Sequence, residues 1–164
     1  MSAPVPRPVA LLARELPEVS STGYPEPFRA LVAGRHRRRL GEPFGLTQFG
    51  VNLCRLEPGA ATAQRHWHAR EDELVYVLEG EVVLVTDAGE MVLGPGMVAG
   101  FPAGRPDGHH LVNRSDRDAL LLEIGTRSVE PETVVYPDID LRYEAARGWL
   151  HRDGTPWEAP PRRP

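Results

Sequence analysis

The chain places His66, His68 and Glu73 in one short stretch, and a second histidine pair, His109 and His110, follows downstream. Imidazole nitrogens and carboxylate oxygens are the ligands of divalent transition metals. In an extended strand, residues two apart share a face with Cα atoms roughly 6.6–7 Å apart, so His66 and His68 can reach one ion at about 2.0–2.2 Å. Glu73 has the parity of Val75 and Val77. Its carboxylate therefore projects from the rim of an apolar interior, where an unpaired charge is costly and a metal removes the cost. A fourth donor comes from segment 109–113, where parity groups His109 with Leu111 and Asn113; parity alone does not choose between His109 and His110.

Strands must position these residues. From Thr47 to Thr126, short apolar runs alternate with Gly, Pro, Asp and Ser turns, which is the pattern of an all-β sandwich or barrel. Strands are expected near 47–56, 63–68, 73–79, 81–86, 90–93, 97–102, 109–113 and 119–125. Leu74–Leu78 and Val82–Val85 are apolar at both parities, so both faces of those strands need cover. One face lines the interior, and the other needs a cover, either a second subunit or the chain's own arms; the second subunit is the expected one, making a homodimer. Residues 1–27 are Pro-rich and without periodicity, and predict an extended arm of the type that packs on a neighbouring subunit. The barrel with its leading strands is expected over 28–126, with its motif-bearing core at 45–126. A peripheral strand or covering segment around Val134–Tyr143 and a Pro-rich tail fill 127–164. The basic run Arg35–Arg39, followed by the turn-like Leu40–Pro43, reads as a solvated hairpin flank, with anion binding as the alternative.

At this point the sequence resembles the cupin superfamily. The first cupin motif, Gly, His-X-His, Glu, Gly, is matched by Gly59, His66, His68, Glu73 and Gly80. The second is matched by Gly96, Pro102, Gly104, His109 and Asn113. The spacing from His to Asn in that motif selects His109 over His110. Gly59 to His66 and Gly104 to His109 are each longer than the family pattern by one or two residues, in loops that precede strands and leave the ligands in place. The resemblance covers about residues 45–126. It implies a cupin-type (RmlC-like) double-stranded β-helix barrel, or jelly roll, with extended N- and C-terminal arms. It also implies one divalent metal (Fe, Mn, Ni, Co or Zn) held by His66, His68, Glu73 and His109. Four such ligands saturate a tetrahedral zinc, whereas an octahedral ion keeps two positions open for water or a bidentate substrate.

Composition narrows the function. A net charge of −4 gives nucleic acid no general electrostatic reason to bind. All 19 basic residues are arginine, which rules out Schiff-base chemistry on a lysine of this chain. The single cysteine, Cys54, lies in an apolar run and reads as a buried, inert thiol. Ala10–Ala13 is too short for a signal or membrane segment, so a cytoplasmic protein is expected. Gln64, Val75, Val77, Phe101, Arg105 and Leu111 are the candidate lining of a pocket for a small-molecule ligand. Two functions fit: a metal-dependent oxygenase or isomerase of unknown substrate, and a non-catalytic module in which the metal captures a ligand or stabilises the barrel. A second chemical group is not obvious. Tyr76 has the wrong parity to enter the barrel, and Arg105 and Asp107 lie in the loop before His109, where a solvated turn is expected.

Overall fold

The structure is a computed structural model that describes residues 7–158. In chain order its strands are β1 (Arg35–Arg39), β2 (Phe49–Leu56), β3 (Trp67–His68), β4 (Glu73–Glu79), β5 (Val82–Thr86), β6 (Gly89–Leu93), β7 (Val98–Phe101), β8 (His110–Val112), β9 (Ala119–Thr126), β10 (Thr133–Tyr136), β11 (Leu141–Glu144) and β12 (Gly148–Leu150). The all-β jelly-roll expectation holds. No described helix is long and apolar enough to cross a membrane.

Two faces enclose the interior. One is a five-stranded antiparallel sheet in the order β1-β2-β9-β4-β7. The other is built from β6-β5-β8 and β12-β11-β10-β3, joined where segment 60–66 runs antiparallel to 109–113 through the bridges Ala61–Val112 and His66–His109. Alternation on β4 follows the pleat: Val75 and Val77 are buried, while Leu74, Tyr76 and Leu78 are exposed. Between the sheets Val75 and Val77 pack with Leu56, Leu111, Leu121 and Cys54. Burial pushes the Cys54 thiol up, which accords with an inert cysteine. The motif residue Gly80 turns the chain at φ +77°, and a Cβ there would meet the Ala119 Cα at 2.8 Å, so only glycine fits.

Three expectations change. The basic run is not a solvated flank but the edge strand β1, with Arg35 only 7% exposed. Its register with β2 puts Arg35, Arg37 and Arg39 opposite Leu56, Cys54 and Asn52, on the interior side. Second, the C-terminal segment forms three strands rather than one, and β10 pairs with β3, the strand that carries His68. Third, the described part of the N-terminal arm packs on its own chain. Val19 exchanges backbone hydrogen bonds with Arg37 (2.9 and 3.0 Å) along the free edge of β1, and Tyr24 joins Val32, Val134, Tyr136 and Leu141 in a second core. Residues 1–6 and 159–164 of the predicted arms lie outside the described residues.

That second core carries a pH prediction. Tyr24 and Tyr136 meet edge-to-face at 5.7 Å, and burial raises both phenols above their ordinary value. The folded state keeps both protons, whereas the unfolded chain releases them above about pH 10. Their contribution is intact below that pH and is lost as pH rises beyond it. Tryptophan fluorescence, reporting through Trp149 at 5.2 Å from Tyr24, is expected to show an unfolding midpoint that falls with pH above about 10; in Tyr24→Phe this decline becomes shallower.

Candidate metal centre and cavity

The four residues expected to hold a metal come together. His66 lies at the bridge to His109, His68 ends β3 and Glu73 opens β4. The Nε2 atoms of His109, His66 and His68 lie 2.7, 3.4 and 3.4 Å from the same Glu73 oxygen, Oε2. Ligand atoms that each sit about 2.1 Å from one ion are themselves roughly 3.0–3.4 Å apart, so this spacing fits a shared cation. His66, His68 and Glu73 form a group able to hold an ion even without His109, and His68 also belongs to a second such group with Glu71 and Glu132; His109 approaches the Glu73 carboxylate more closely than either of the other two histidines. Lone pairs converging on a carboxylate oxygen in a buried place need a proton or a cation between them.

Local contacts set the orientation of each ring. The Nδ1 of His66 donates to the Gln64 carbonyl at 2.9 Å, which leaves the Nε2 lone pair facing Glu73. His109 stacks on Phe101 with ring centroids 3.6 Å apart and planes 1° from parallel. The Nδ1 atoms of His68 and His109 are buried without a protein partner. Burial opposes ionisation of Glu73, but the three imidazoles gathered on it, His109 foremost, overcome that cost and hold the carboxyl well below its usual range. Burial also lowers His66. It works against His68 as well, yet the Glu73 carboxylate, with Glu132 and Glu71 behind it, raises that ring. His110 faces away, with its Nδ1 on the Ala63 carbonyl at 3.0 Å. The motif residue Asn113 is fully buried and structural: its amide donates to the Leu56 and Arg117 carbonyls, both at 2.8 Å.

Two cavities meet at this cluster, and His68, Glu71 and His109 line both. One, of about 340 Å³, is polar and walled by Arg35, Arg37, Asn52, Glu123 and Arg127 as well as the cluster itself. The other, of about 290 Å³, is bounded mainly by apolar groups, among them Trp67, Leu84, Met91, Met97 and Phe101. The five-stranded sheet leaves room for the first: Glu73 is in register with Gly125, and Gly125 with Gly50, so two positions beside the carboxylate carry no side chain.

Among the predicted lining residues, Val75 and Leu111 line the polar cavity, and Phe101 and Arg105 the apolar one. Arg105 is an exposed turn residue whose partner is Asp107 at 3.5 Å. Two placements are corrected. Val77 is fully buried in the core below the cavity. Gln64 turns out of the interior and donates its amide to the Phe28 carbonyl at 2.9 Å. The cause is a register slip: five steps from Ala61 to His66 match three from Val112 to His109, so two extra residues bulge out around Gln64. The sequence reading missed Glu71, Glu123, Arg35, Arg37 and Arg127. The alternation at 35, 37 and 39 was the available signal for the arginines.

The Cupin domain family pattern matches residues 52–125. A solved sugar phosphate isomerase of the cupin superfamily from Silicibacter pomeroyi is 44% identical, with 92% of this chain and 97% of that one aligned and a TM-score of 0.86. The chain belongs to the cupin superfamily. A putative sugar phosphate isomerase from Acidithiobacillus ferrooxidans is 27% identical over 78% of this cupin and 84% of its own chain, with a TM-score of 0.68. The polyketide cyclase RemF from Streptomyces resistomycificus, 24% identical over 85% and 87% of the two chains at a TM-score of 0.60, shares the cupin fold. No curated protein matches this sequence.

Proposed function

We propose that this cupin is a metal-dependent isomerase that interconverts the aldose and ketose forms of a small sugar phosphate. The convergence of three imidazoles on the Glu73 carboxylate at the end of a polar cavity carries this reading. The description of the 44%-identical relative as a sugar phosphate isomerase supports it. His66, His68, Glu73 and His109 hold the ion. A divalent ion there supplies Lewis-acid polarisation of a bound carbonyl, which acidifies the neighbouring C–H.

Isomerisation then needs one group to carry a proton between adjacent carbons. Three carboxylates line the polar cavity. Glu73 is engaged by the imidazoles, and Glu123 by a two-pronged Arg37 contact at 2.6 and 2.9 Å. Glu71 accepts a backbone N–H from Ser128 at 2.9 Å through Oε1, which leaves its second oxygen to act. We assign Glu71 as this base: it takes the proton from the carbon bearing the hydroxyl and returns it to the former carbonyl carbon. The hydroxyl proton passes to the former carbonyl oxygen, so the step balances without a co-reactant. The test is turnover of a panel of aldose and ketose phosphates by metal-loaded protein, followed by NMR. Interconversion that EDTA abolishes is expected; ligand binding without turnover would leave a binding module instead.

We also propose a homodimer. Leu74, Tyr76 and Leu78 on β4 and Val98 on β7 are 38–56% exposed on the outer face of the five-stranded sheet, and the described arms leave them uncovered. A second copy is the expected cover. Gel filtration with light scattering is expected to give twice the 18.1 kDa chain mass, and Tyr76→Glu should shift the protein to monomer.

A further inference from the structure

The row of arginines on β1 is left unused by the reaction described above. Residues 35, 37 and 39 share one side of β1, opposite Leu56, Cys54 and Asn52, with Arg35 buried, Arg37 half-buried and Arg39 exposed at the strand end. Arg35 is 7% exposed and donates to the Thr62 carbonyl at 2.6 Å. Arg37 shares Glu123 with no second carboxylate, and Arg39 pairs with Glu42 at 2.9 Å. Among the described residues neither Arg35 nor Arg127 has a salt-bridge partner. Arg35, Arg37, Asn52 and Arg127 line the polar cavity at the side away from β4, and they also line a neighbouring cavity of about 210 Å³ that Arg39 and Glu42 complete. At this end of the two cavities Arg35, Arg37, Arg39 and Arg127 stand beside Glu123 and Glu42, while Glu71 and Glu73 lie at the other end of the larger one. Arg35 is the buried one of the four and lacks a counter-charge, whereas Arg127 is exposed at the cavity mouth; a buried cation without a counter-charge is costly, and an anion that enters removes the cost.

We propose that Arg35, Arg37 and Arg127, with the Asn52 amide, form the subsite for the phosphoryl group of the substrate. Guanidinium forks match phosphate oxygens in charge and planar geometry. Glu123 fixes Arg37 from one side, which orients its remaining donors. The cavity then has an anion end on β1 and β2 and a reacting end at Glu73 and Glu71, so the phosphate sets which carbons of the sugar reach the second end. As a substrate assignment this rests on the isomerase reading; as an anion site it stands without it.

The probe is inorganic phosphate, titrated into the full chain as purified and after EDTA, and followed by calorimetry. Binding is expected in both samples, about tenfold weaker in Arg127→Gln and in Arg35→Lys, and unchanged in Arg114→Gln, whose partner Glu90 lies elsewhere on the surface. Arg127→Gln decides the matter if Arg35→Lys does not fold, since the Arg127 side chain has no hydrogen-bond partner among the described residues. Phosphate binding that is absent after EDTA, or that survives Arg127→Gln undiminished, overturns the subsite. Arginine-dependent phosphate binding by a protein that turns over no sugar phosphate keeps the subsite and removes the isomerase. Turnover whose KM is the same in Arg127→Gln as in wild type keeps the isomerase and removes the subsite.

Discussion

His66→Ala and His109→Ala each lower metal affinity by more than about 100-fold, while His110→Ala leaves it within about twofold; competition with a chromophoric chelator reads both. Loss of an outer-shell partner alone costs about 10- to 100-fold, and removal of a ligand exceeds that. The contrast between neighbours follows from their strand. His109 and His110 project to opposite faces of β8 and its lead-in, so His109 meets Glu73 at 2.7 Å while His110 meets the Ala63 carbonyl on the far side. Stability moves differently from affinity. His109 fills the space against Phe101 in a stacked contact at 3.6 Å, so His109→Ala also loses packing, whereas His109→Gln keeps much of the volume and isolates the loss of the ligand. Equal losses of metal at 109 and 110 would overturn the ligand assignment.

Glu71→Gln is expected to lower kcat by about 10²–10⁴ with metal content unchanged and KM within a few fold. Glutamine keeps an oxygen for the Ser128 N–H, so the loop is held as before. What it loses is the ability to carry a proton. Turnover in D2O separates this role from a merely structural one. With Glu71 exchanging the proton it carries, wild-type enzyme washes solvent deuterium into carbon, and in Glu71→Gln the rate of that exchange falls together with kcat, whereas a merely structural role leaves it unchanged. A variant with full activity would remove Glu71 from the chemistry and leave the metal ligands untouched.

The strand order of chemistry in this chain was legible wherever one face is apolar. On β4 the alternation of buried Val75 and Val77 with exposed Tyr76 and Leu78 follows the sequence pattern directly and fixes where Glu73 points. On β1 the same period is present but invisible in hydropathy, because both faces carry charge. Arg35 and Arg37 go inward to Thr62 and Glu123, while His36 and Arg38 go outward to Glu57 and Glu18. Gln64 shows the opposite failure. An unbroken strand over 63–68 would set it on the face of His66 and His68, and the two-residue bulge turns it out instead. The second core was beyond local reading. It joins Tyr24 to Tyr136 and Trp149, residues far apart in sequence that meet only when β10 docks on β3. The cluster of His66, His68, Glu73 and His109 has long sequence separations too, but a motif with fixed spacing stands in for the fold there.

The central claim is an ion held where His66, His68, Glu73 and His109 converge. Native mass spectrometry of the untagged full chain tests it most directly, since intact mass reports metal stoichiometry and subunit count in one spectrum. One divalent transition-metal ion per chain is predicted for the wild type, and none for Glu73→Gln at the same metal concentration. A wild-type chain that takes up no ion from excess metal, or a Glu73→Gln chain that holds it equally well, would contradict it.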